Sequence, residues 1–205
     1  MSIALLATGD ELVIGDTLNT NSQQLAHILH SEGLTLGFHL TCGDQEIGIL
    51  TALQFLAPHH DIIIITGGLG PTSDDRTRFA LAQFMNIVLQ EYLLASEHIE
   101  KRLKNANLPM TEENRQQALF PPNATLLPNP LGTAMGCYLQ WNGKLFFLLP
   151  GPPRECLPMF NTYALPLLGN AQRNNTVLLK WRLFGSAEGQ IAQQFDDALA
   201  TLDCE

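Results

Sequence analysis

The chain has 205 residues, 45% hydrophobic and 15% charged, a balance typical of globular proteins and unlike disordered, collagenous or coiled-coil chains. Its 20 acidic and 11 basic residues give a net charge of −9, which argues against direct binding of nucleic acid or anionic membranes. No apolar run reaches the roughly 20 residues that span a bilayer, and four widely separated cysteines without a C-x-x-C pair disfavour a disulfide framework or zinc site. We expect a cytoplasmic protein with free thiols. An anionic ligand would then depend on backbone amides, helix N-termini or a divalent cation.

Apolar runs alternate with helix-like segments over the first 90 residues. This alternation predicts βαβ units and a doubly wound, mostly parallel sheet with helices on both faces. The run Asp61–Thr66 is β-branched and apolar, which indicates a strand buried on both faces. The predicted elements are strands at Ile3–Thr8, Thr35–Thr41 and Asp61–Thr66, and helices from Asn19 or Asn21 to Glu32, at Glu46–Ala57 and at Asp75–Met85.

A hairpin is the clearest local signal in the second half of the chain. Asn142-Gly143 separates the apolar segments Tyr138–Trp141 and Leu145–Leu149, and Pro153 suits the first turn of a following helix. Two other predictions are a helix over Gln90–Asn107 and an irregular loop over Pro121–Pro130.

The segment Gly169–Asn175 is polar and poor in apolar residues, and we predict a domain boundary there. Beyond it the pattern predicts a strand at Thr176–Phe184 and an amphipathic helix at Ser186–Leu202. About thirty residues are too few to bury a core of their own. This αβ segment is therefore expected to dock on another surface.

A glycine-rich motif, Thr66-Gly-Gly-Leu-Gly-Pro-Thr-Ser-Asp-Asp-Arg-Thr77, connects a buried strand to a helix. Such a turn exposes consecutive N–H groups beside a helix N-terminus, where an anion binds. The motif lacks the Lys-Ser/Thr of a Walker A loop and the third glycine of the dinucleotide fingerprint. Asp74 and Asp75 would repel a polyphosphate unless a divalent cation bridges them. The alternative is a simple turn in which Ser73 or Asp74 caps the helix.

Acidic residues also follow the first two predicted strands. Asp10 and Glu11 come after strand one and Asp44 after strand two. Because parallel strands end at one edge of a sheet, Asp10, Asp44 and Asp75 are expected to converge on one crevice. Each of them alone is more often a turn former or a helix cap, and that alternative stays open.

Two further turns, Asn129–Ala134 and Leu149–Glu155, contain glycine and flank the last apolar strands. They could offer backbone amides and the Glu155 carboxylate to a ligand, and Asn114 and Arg115 could reach a phosphate or a base. The alternative for each is a rigid proline turn that closes a sheet edge.

Six motifs together resemble the molybdopterin-binding (MoCF biosynthesis) domain, most closely its form in the CinA-like competence/damage-inducible family. They are TGDEL, the Gly-Asp at 43–44, GGLGPTSDDRT, NRQQA at 114–118, NPLGTAMG and LPGPPRE. The resemblance runs in order over about residues 1–165. It implies a three-layer α/β domain over residues 1–170, and residues 175–205 resemble the start of a small, incomplete KH-like domain. The deamidase domain of many family members is not expected here.

The resemblance implies a phosphate-binding loop, a divalent ion (Mg²⁺, Mn²⁺ or Co²⁺) and a homo-oligomer, either a dimer or a trimer. Asp44 and Asp75 would hold the ion or orient the nucleophile, and Asp10 is a third candidate ligand. The loop residues that would cradle phosphate are Gly67, Gly68, Gly70, Pro71 and Thr72. The other candidate substrate-binding residues are Thr8, Gly9, Asn114, Asn129, Gly132, Thr133, Gly151 and Glu155.

Three functions remain open at this point. The first is a metal-dependent pyrophosphatase of ADP-ribose-type dinucleotides, implied by the CinA-like branch. The second is molybdopterin binding with adenylyl transfer, implied by the molybdenum-cofactor branch, in which the same pocket would take a pterin. The third is a non-catalytic oligomeric module connected with competence or DNA damage.

Overall fold

The computed structural model describes residues 2–168 and, beyond them, residues 184, 185, 189, 191, 192, 195 and 196. The chain divides into two compact units, Met1–Asn175 and Thr176–Glu205. The predicted boundary at 169–175, the strand at Thr176–Phe184 and the KH-like segment lie outside the described residues, apart from those isolated positions. Within the predicted helix Ser186–Leu202, the five described residues are helical.

Six strands form one sheet, and its parallel part places four strand ends at one edge. β1 pairs in parallel with β2 and with β3, and β3 pairs in parallel with β8, whereas β7 is antiparallel to both β8 and β6. The spatial order is β2-β1-β3-β8-β7-β6. The strands are β1 Ile3–Thr8, β2 Leu36–Cys42, β3 Ile62–Thr66, β4 Gln90–Glu91, β5 Leu119–Phe120, β6 Thr125–Leu127, β7 Gly136–Trp141 and β8 Lys144–Leu149, with β4 and β5 forming a separate antiparallel pair.

Helices cover both faces of this sheet and bury two apolar clusters. Alternate residues of β3 point to opposite faces, so that Ile63 and Ile65 lie in one cluster and Ile62 and Ile64 in the other. This confirms the three-layer, mostly parallel α/β fold. The helices are α1 Asp10–Val13, α2 Thr20–Ser31, α3 Glu46–Leu56, α4 Thr77–Met85, α5 Leu93–Asn105, α6 Glu112–Gln116, α7 Pro153–Met159 and α8 Leu165–Leu168, with a π-helical turn at Phe160–Ala164 between the last two.

The predicted hairpin is confirmed, because β7 and β8 are joined by Asn142 and Gly143 with positive φ angles of 48° and 75°. Pro153 is the first residue of α7, as predicted. No helix among the described residues is long and apolar enough to cross a membrane.

Three predicted boundaries were wrong. The helix predicted from Gln90 begins only at Leu93, because residues 90 and 91 pair with β5. The loop predicted over residues 121–130 contains β6, which pairs with β7. The helix predicted from Asp75 begins at Thr77, because the Asp75 carboxylate closes the preceding turn by accepting the Thr72 amide at 2.9 Å.

Candidate functional site

A cavity of about 620 Å³ lies at the carboxyl edge of the parallel strands. Loops that follow β1, β2, β3 and β8 form its wall, together with the start of α2 and the turn before β7. This is the edge at which open α/β sheets bind ligands. The predicted site residues that line the cavity are Thr8, Gly9, Asp44, Gly67, Gly68, Gly70, Asp75, Gly132, Thr133, Gly151 and Glu155.

The glycine loop between β3 and α4 has a backbone course that only glycine accommodates at two positions. Gly67 and Gly68 have φ angles of +103° and +64°. A Cβ on Gly67 would collide with the Thr8 carbonyl oxygen, and one on Gly68 with the buried Thr77 hydroxyl. The two glycines therefore allow the loop to pass directly over β1 and the start of α4.

Three successive amides of this loop are left without partners. Gly67 donates to the Leu149 carbonyl and Thr72 to Asp75, but the N–H groups of Gly68, Leu69 and Gly70 donate to no atom in the described part of the chain. Buried or partly buried amides nearly always find a partner. A run of three free N–H groups at a cavity wall is a typical anion-binding arrangement.

Asp10 and Asp44 hold the ends of β1 and β2 together by a reciprocal pair of hydrogen bonds. The Asp10 amide donates to Asp44 Oδ2 at 2.9 Å, and the Asp44 amide donates to Asp10 Oδ1 at 3.0 Å. The pairing follows from the parallel register, which sets Thr8 opposite Cys42. Asp44 lines the cavity and Asp10 does not, so the structure gives Asp10 a contact with Asp44 and no place in the cavity wall.

Negative charge is concentrated around Asp44. Burial raises the pKa of this carboxyl, the Asp10 amide lowers it, and the nearby charges of Asp10, Glu11 and Asp74 raise it again, so that the net pKa is above its ordinary value. Glu11 and Asp74 also line the cavity. Among the described residues, no three His, Cys, Asp or Glu side chains are arranged to hold a metal ion by themselves.

Asp75 shapes the glycine loop. Its Oδ2 accepts hydrogen bonds from both the amide and the hydroxyl of Thr72, and a Cβ on Gly70 would overlap its carboxylate. Pro71 and Thr72, predicted to touch phosphate, do not line the cavity. The loop thus turns its 71–72 segment away from the cavity and its 68–70 segment toward it.

Asn129 and Glu155 support a second wall of the cavity. The fully buried Asn129 accepts from the amides of Leu131 and Gly132 and donates to the Ala134 carbonyl and to Glu155 Oε2 at 2.8 Å. Glu155 is 8% exposed. Asn129 therefore fixes the turn and the carboxylate from behind and does not itself line the cavity.

The structure does not bring Asn114 to the cavity. It lies near the start of α6, where it forms a capping box with Thr111. The same helix does reach the glycine loop through Gln116, whose Nε2 donates to the Pro71 carbonyl at 2.6 Å.

Two polar residues that contact the cavity loops were not singled out from the sequence as site residues. Asn21 lines the cavity and donates to the Gly151 carbonyl at 2.7 Å, and its buried Oδ1 has no partner among the residues that the structure describes. Arg78 is fully buried and donates to the carbonyls of the glycine loop. A sequence signal existed for Arg78, because it shares a helix face with the buried Leu81 and Met85.

Residues 4–170 match the family described as "Probable molybdopterin binding domain". The chain belongs to this family. It is 40% identical over 202 residues to a "Putative competence-damage inducible protein" of Alkaliphilus metalliredigens, covering 97% of this chain and 48% of that protein. A relative of the same name in Clostridium botulinum is also 40% identical, with 97% and 49% covered. The chain thus spans about half the length of these curated relatives.

Two solved structures share this fold. The protein CinA of unknown function from Thermoplasma acidophilum superimposes with a TM-score of 0.76 at 26% identity, over 82% of this chain and 99% of that one. The molybdopterin biosynthesis enzyme MoaB from Thermus thermophilus gives 0.53 at 18% identity, over 84% and 99%, a likeness of fold alone. The resemblance to CinA-like proteins that the sequence motifs indicated is confirmed.

Proposed function

We propose that this cavity binds a nucleotide diphosphate of the ADP-ribose type and hydrolyses its pyrophosphate with the help of a divalent cation. One observation carries the proposal: residues 68–70, whose amides have no partner in the described part of the chain, line the same cavity as Asp44. Burial and neighbouring acidic residues raise the pKa of Asp44. Amides attract a phosphate, and clustered carboxylates attract a cation. A complex of a divalent cation with a pyrophosphate group contains both the anion and the cation that this cavity would attract.

The size of the cavity supports a small-molecule ligand. Its volume of about 620 Å³ lies within the ~300–1,000 Å³ range of small-molecule pockets. Its polar wall includes amides, hydroxyls and carboxylates from four separate loops, which together can orient a ligand that carries both phosphate and sugar groups.

The acidic wall fits a cation that is shared with the substrate. Mg²⁺ commonly binds through one or two carboxylates together with substrate phosphate oxygens, so a complete set of protein ligands is not required. In this proposal Asp44 and Asp75 hold the ion, and Glu11 and Asp74 add to the negative field. When bound, such an ion polarises the phosphoryl group and lowers the pKa of a bound water.

The residues of the chain then have separate tasks. The amides of Gly68, Leu69 and Gly70 donate to the phosphoryl oxygens, on which negative charge grows during the reaction. Asn129 keeps Glu155 and the 131–132 turn in place. The reciprocal bonds between Asp10 and Asp44 keep the Asp44 carboxylate at the strand end.

The test is release of AMP from ADP-ribose with added Mg²⁺, Mn²⁺ or Co²⁺. We expect Asp44→Asn and Asp75→Asn to lower kcat/KM by about 100-fold or more. The matched control is Asp16→Asn, because Asp16 is exposed and does not line the cavity, and its activity should equal wild type. Absence of metal-dependent AMP release from the wild-type protein would refute the proposal, and wild-type rates in Asp75→Asn would remove that residue from it.

Molybdopterin binding is a second candidate, favoured by the description of the matched family. Its phosphate would occupy the same amides of the glycine loop. Calorimetric titration with molybdopterin, with ADP-ribose as the competitor, separates the two. Tight molybdopterin binding without AMP release would favour this second function.

A further inference from the structure

Arg78 carries a buried charge that forms no ion pair with any residue of the described part of the chain. Its side chain is fully buried at the start of α4. Within the described residues its guanidinium forms no salt bridge, and its Nε has no hydrogen-bond partner. Burial lowers the pKa of this guanidinium and the Asp75 charge partly offsets that, which leaves a pKa of about 10. Arg78 therefore remains protonated at neutral pH. An unpaired buried cation is costly, and proteins rarely retain one without a counterpart.

Within residues 2–168, the hydrogen bonds donated by the Arg78 guanidinium go to the glycine loop. Nη1 donates to the Leu69 carbonyl at 2.8 Å and Nη2 to the Gly70 carbonyl at 3.3 Å. The guanidinium carbon also lies 5.7 Å from the centre of the buried Phe120 ring. The charge is therefore fixed directly behind the loop.

This contact decides which way the loop amide points. In a trans peptide the carbonyl and the N–H point in opposite directions, and the described chain has no cis peptide bond. Since Arg78 holds the Leu69 carbonyl toward the interior, the Gly70 N–H of the same peptide points away from the interior. Gly70 lines the cavity, and its N–H has no partner among the described residues.

We propose that Arg78 is the positioning residue of the anion site: it turns the 69–70 peptide so that the Gly70 amide faces a bound phosphate, and it supplies the positive charge behind that amide. This rests on the proposed function, since it needs a phosphate-bearing ligand in the cavity. It explains how a chain of net charge −9 with acidic residues in its cavity wall accepts an anion without a lysine in the loop. Hydrogen bonds from the guanidinium also polarise the peptide and strengthen its N–H as a donor.

The first experiment is calorimetric titration with inorganic pyrophosphate and Mg²⁺. We expect Arg78→Met to weaken binding by about tenfold or more, and Arg78→Lys, which keeps a charge but replaces the two Nη donors by one ammonium, to weaken it less than Arg78→Met without restoring wild-type affinity. Arg115→Met is the matched control, because the structure places Arg115 outside the cavity wall, exposed and with its Nε 3.8 Å from Glu112 Oε2 on its own helix; binding by this variant should be unchanged.

The outcomes separate this inference from the proposed function. A wild-type protein that binds no pyrophosphate would overturn the proposed function and the role of Arg78 together. A wild-type protein that binds, with Arg78→Met binding equally well, would overturn the role of Arg78 alone.

A second measurement needs no variant and covers the case in which Arg78→Met does not fold. In ¹H–¹⁵N spectra of the wild-type protein, saturation with pyrophosphate should shift the Gly70 amide resonance strongly. The amide of Gly143, in the β7–β8 turn and away from the cavity wall, should stay in place. If pyrophosphate binds and the Gly70 resonance does not move, the inference is wrong.

Discussion

The glycine loop (residues 67–76) and the turn before β7 (residues 128–135) both line the cavity, but they use their backbone amides in opposite ways. The glycine loop leaves the N–H groups of residues 68–70 without partners in the described chain. The turn before β7 directs the amides of Leu131 and Gly132 onto Asn129 Oδ1. The first can bind an anion through its backbone, and the second is a closed, rigid wall.

The difference arises from the residue buried behind each loop. The Arg78 guanidinium donates to the Leu69 and Gly70 carbonyls and holds them toward the interior, so the Gly70 N–H points outward. The Asn129 side chain presents an oxygen to two amides, and this consumes the donors. Both loops contain glycine, so glycine content does not by itself decide which loop amides are free; in this protein the hydrogen-bonding atom buried behind each loop does.

The largest effect is expected from Asn129→Ala, which removes the support of the closed turn. The change deletes four hydrogen bonds at a fully buried position and should lower the free energy of unfolding by about 3–4 kcal/mol. Urea denaturation measures it. Asn114→Ala is the control, because Asn114 makes cap bonds at an exposed site and its loss should cost only about 1 kcal/mol. Equal losses in the two variants would show that the turn does not depend on Asn129.

A smaller loss of stability is expected from Gly68→Ala in the open loop. The added Cβ requires a side chain at φ +64° and collides with the Thr77 hydroxyl, which together should cost about 2–3 kcal/mol. Gly143→Ala is the matched control, since Gly143 has φ +75° and open space around its Cβ position; it should cost about 1 kcal/mol. Thermal unfolding distinguishes the two. If both variants lost the same stability, close packing of the loop over α4 would be refuted.

The smallest expected effect is a gain in stability in Asp44→Asn. Because burial and neighbouring acids raise the pKa of Asp44, the folded protein holds this proton to higher pH than the unfolded chain, so the free energy of unfolding falls as pH rises above the ordinary aspartate value of 3.8. With EDTA present, Asp44→Asn should be more stable than wild type at about pH 7 and lose that gain near about pH 3. Asp16→Asn, which removes an exposed carboxylate, should show no comparable pH-dependent gain. A gain in Asp44→Asn that persists unchanged to low pH would contradict the acidic cluster as its cause.

Local patterns predicted the fold class of residues 2–168, a mostly parallel sheet with helices on both faces. Apolar β-branched runs such as the one that became β3, and the Asn142-Gly143 turn, are short-range signals, and each produced the expected element. Two of the errors lie where pairing between distant residues decides, at residues 90–91, which pair with β5, and in the 121–130 segment, where β6 pairs with β7. The late start of α4 has a local cause, the bond between Asp75 and the Thr72 amide. The secondary-structure preference of a short stretch of sequence does not reveal which distant strand it pairs with.

The candidate site likewise has features that the local sequence predicts and contacts that it does not. Local sequence patterns predicted that glycines and acids follow the ends of parallel strands, because strand period and turn chemistry are local properties. The bonds of Asp10 with Asp44 and of Arg78 with the glycine loop depend instead on tertiary packing. These contacts join residues through specific side-chain directions, and a direction in space is set by the packing of the whole domain rather than by the order of residues along the chain.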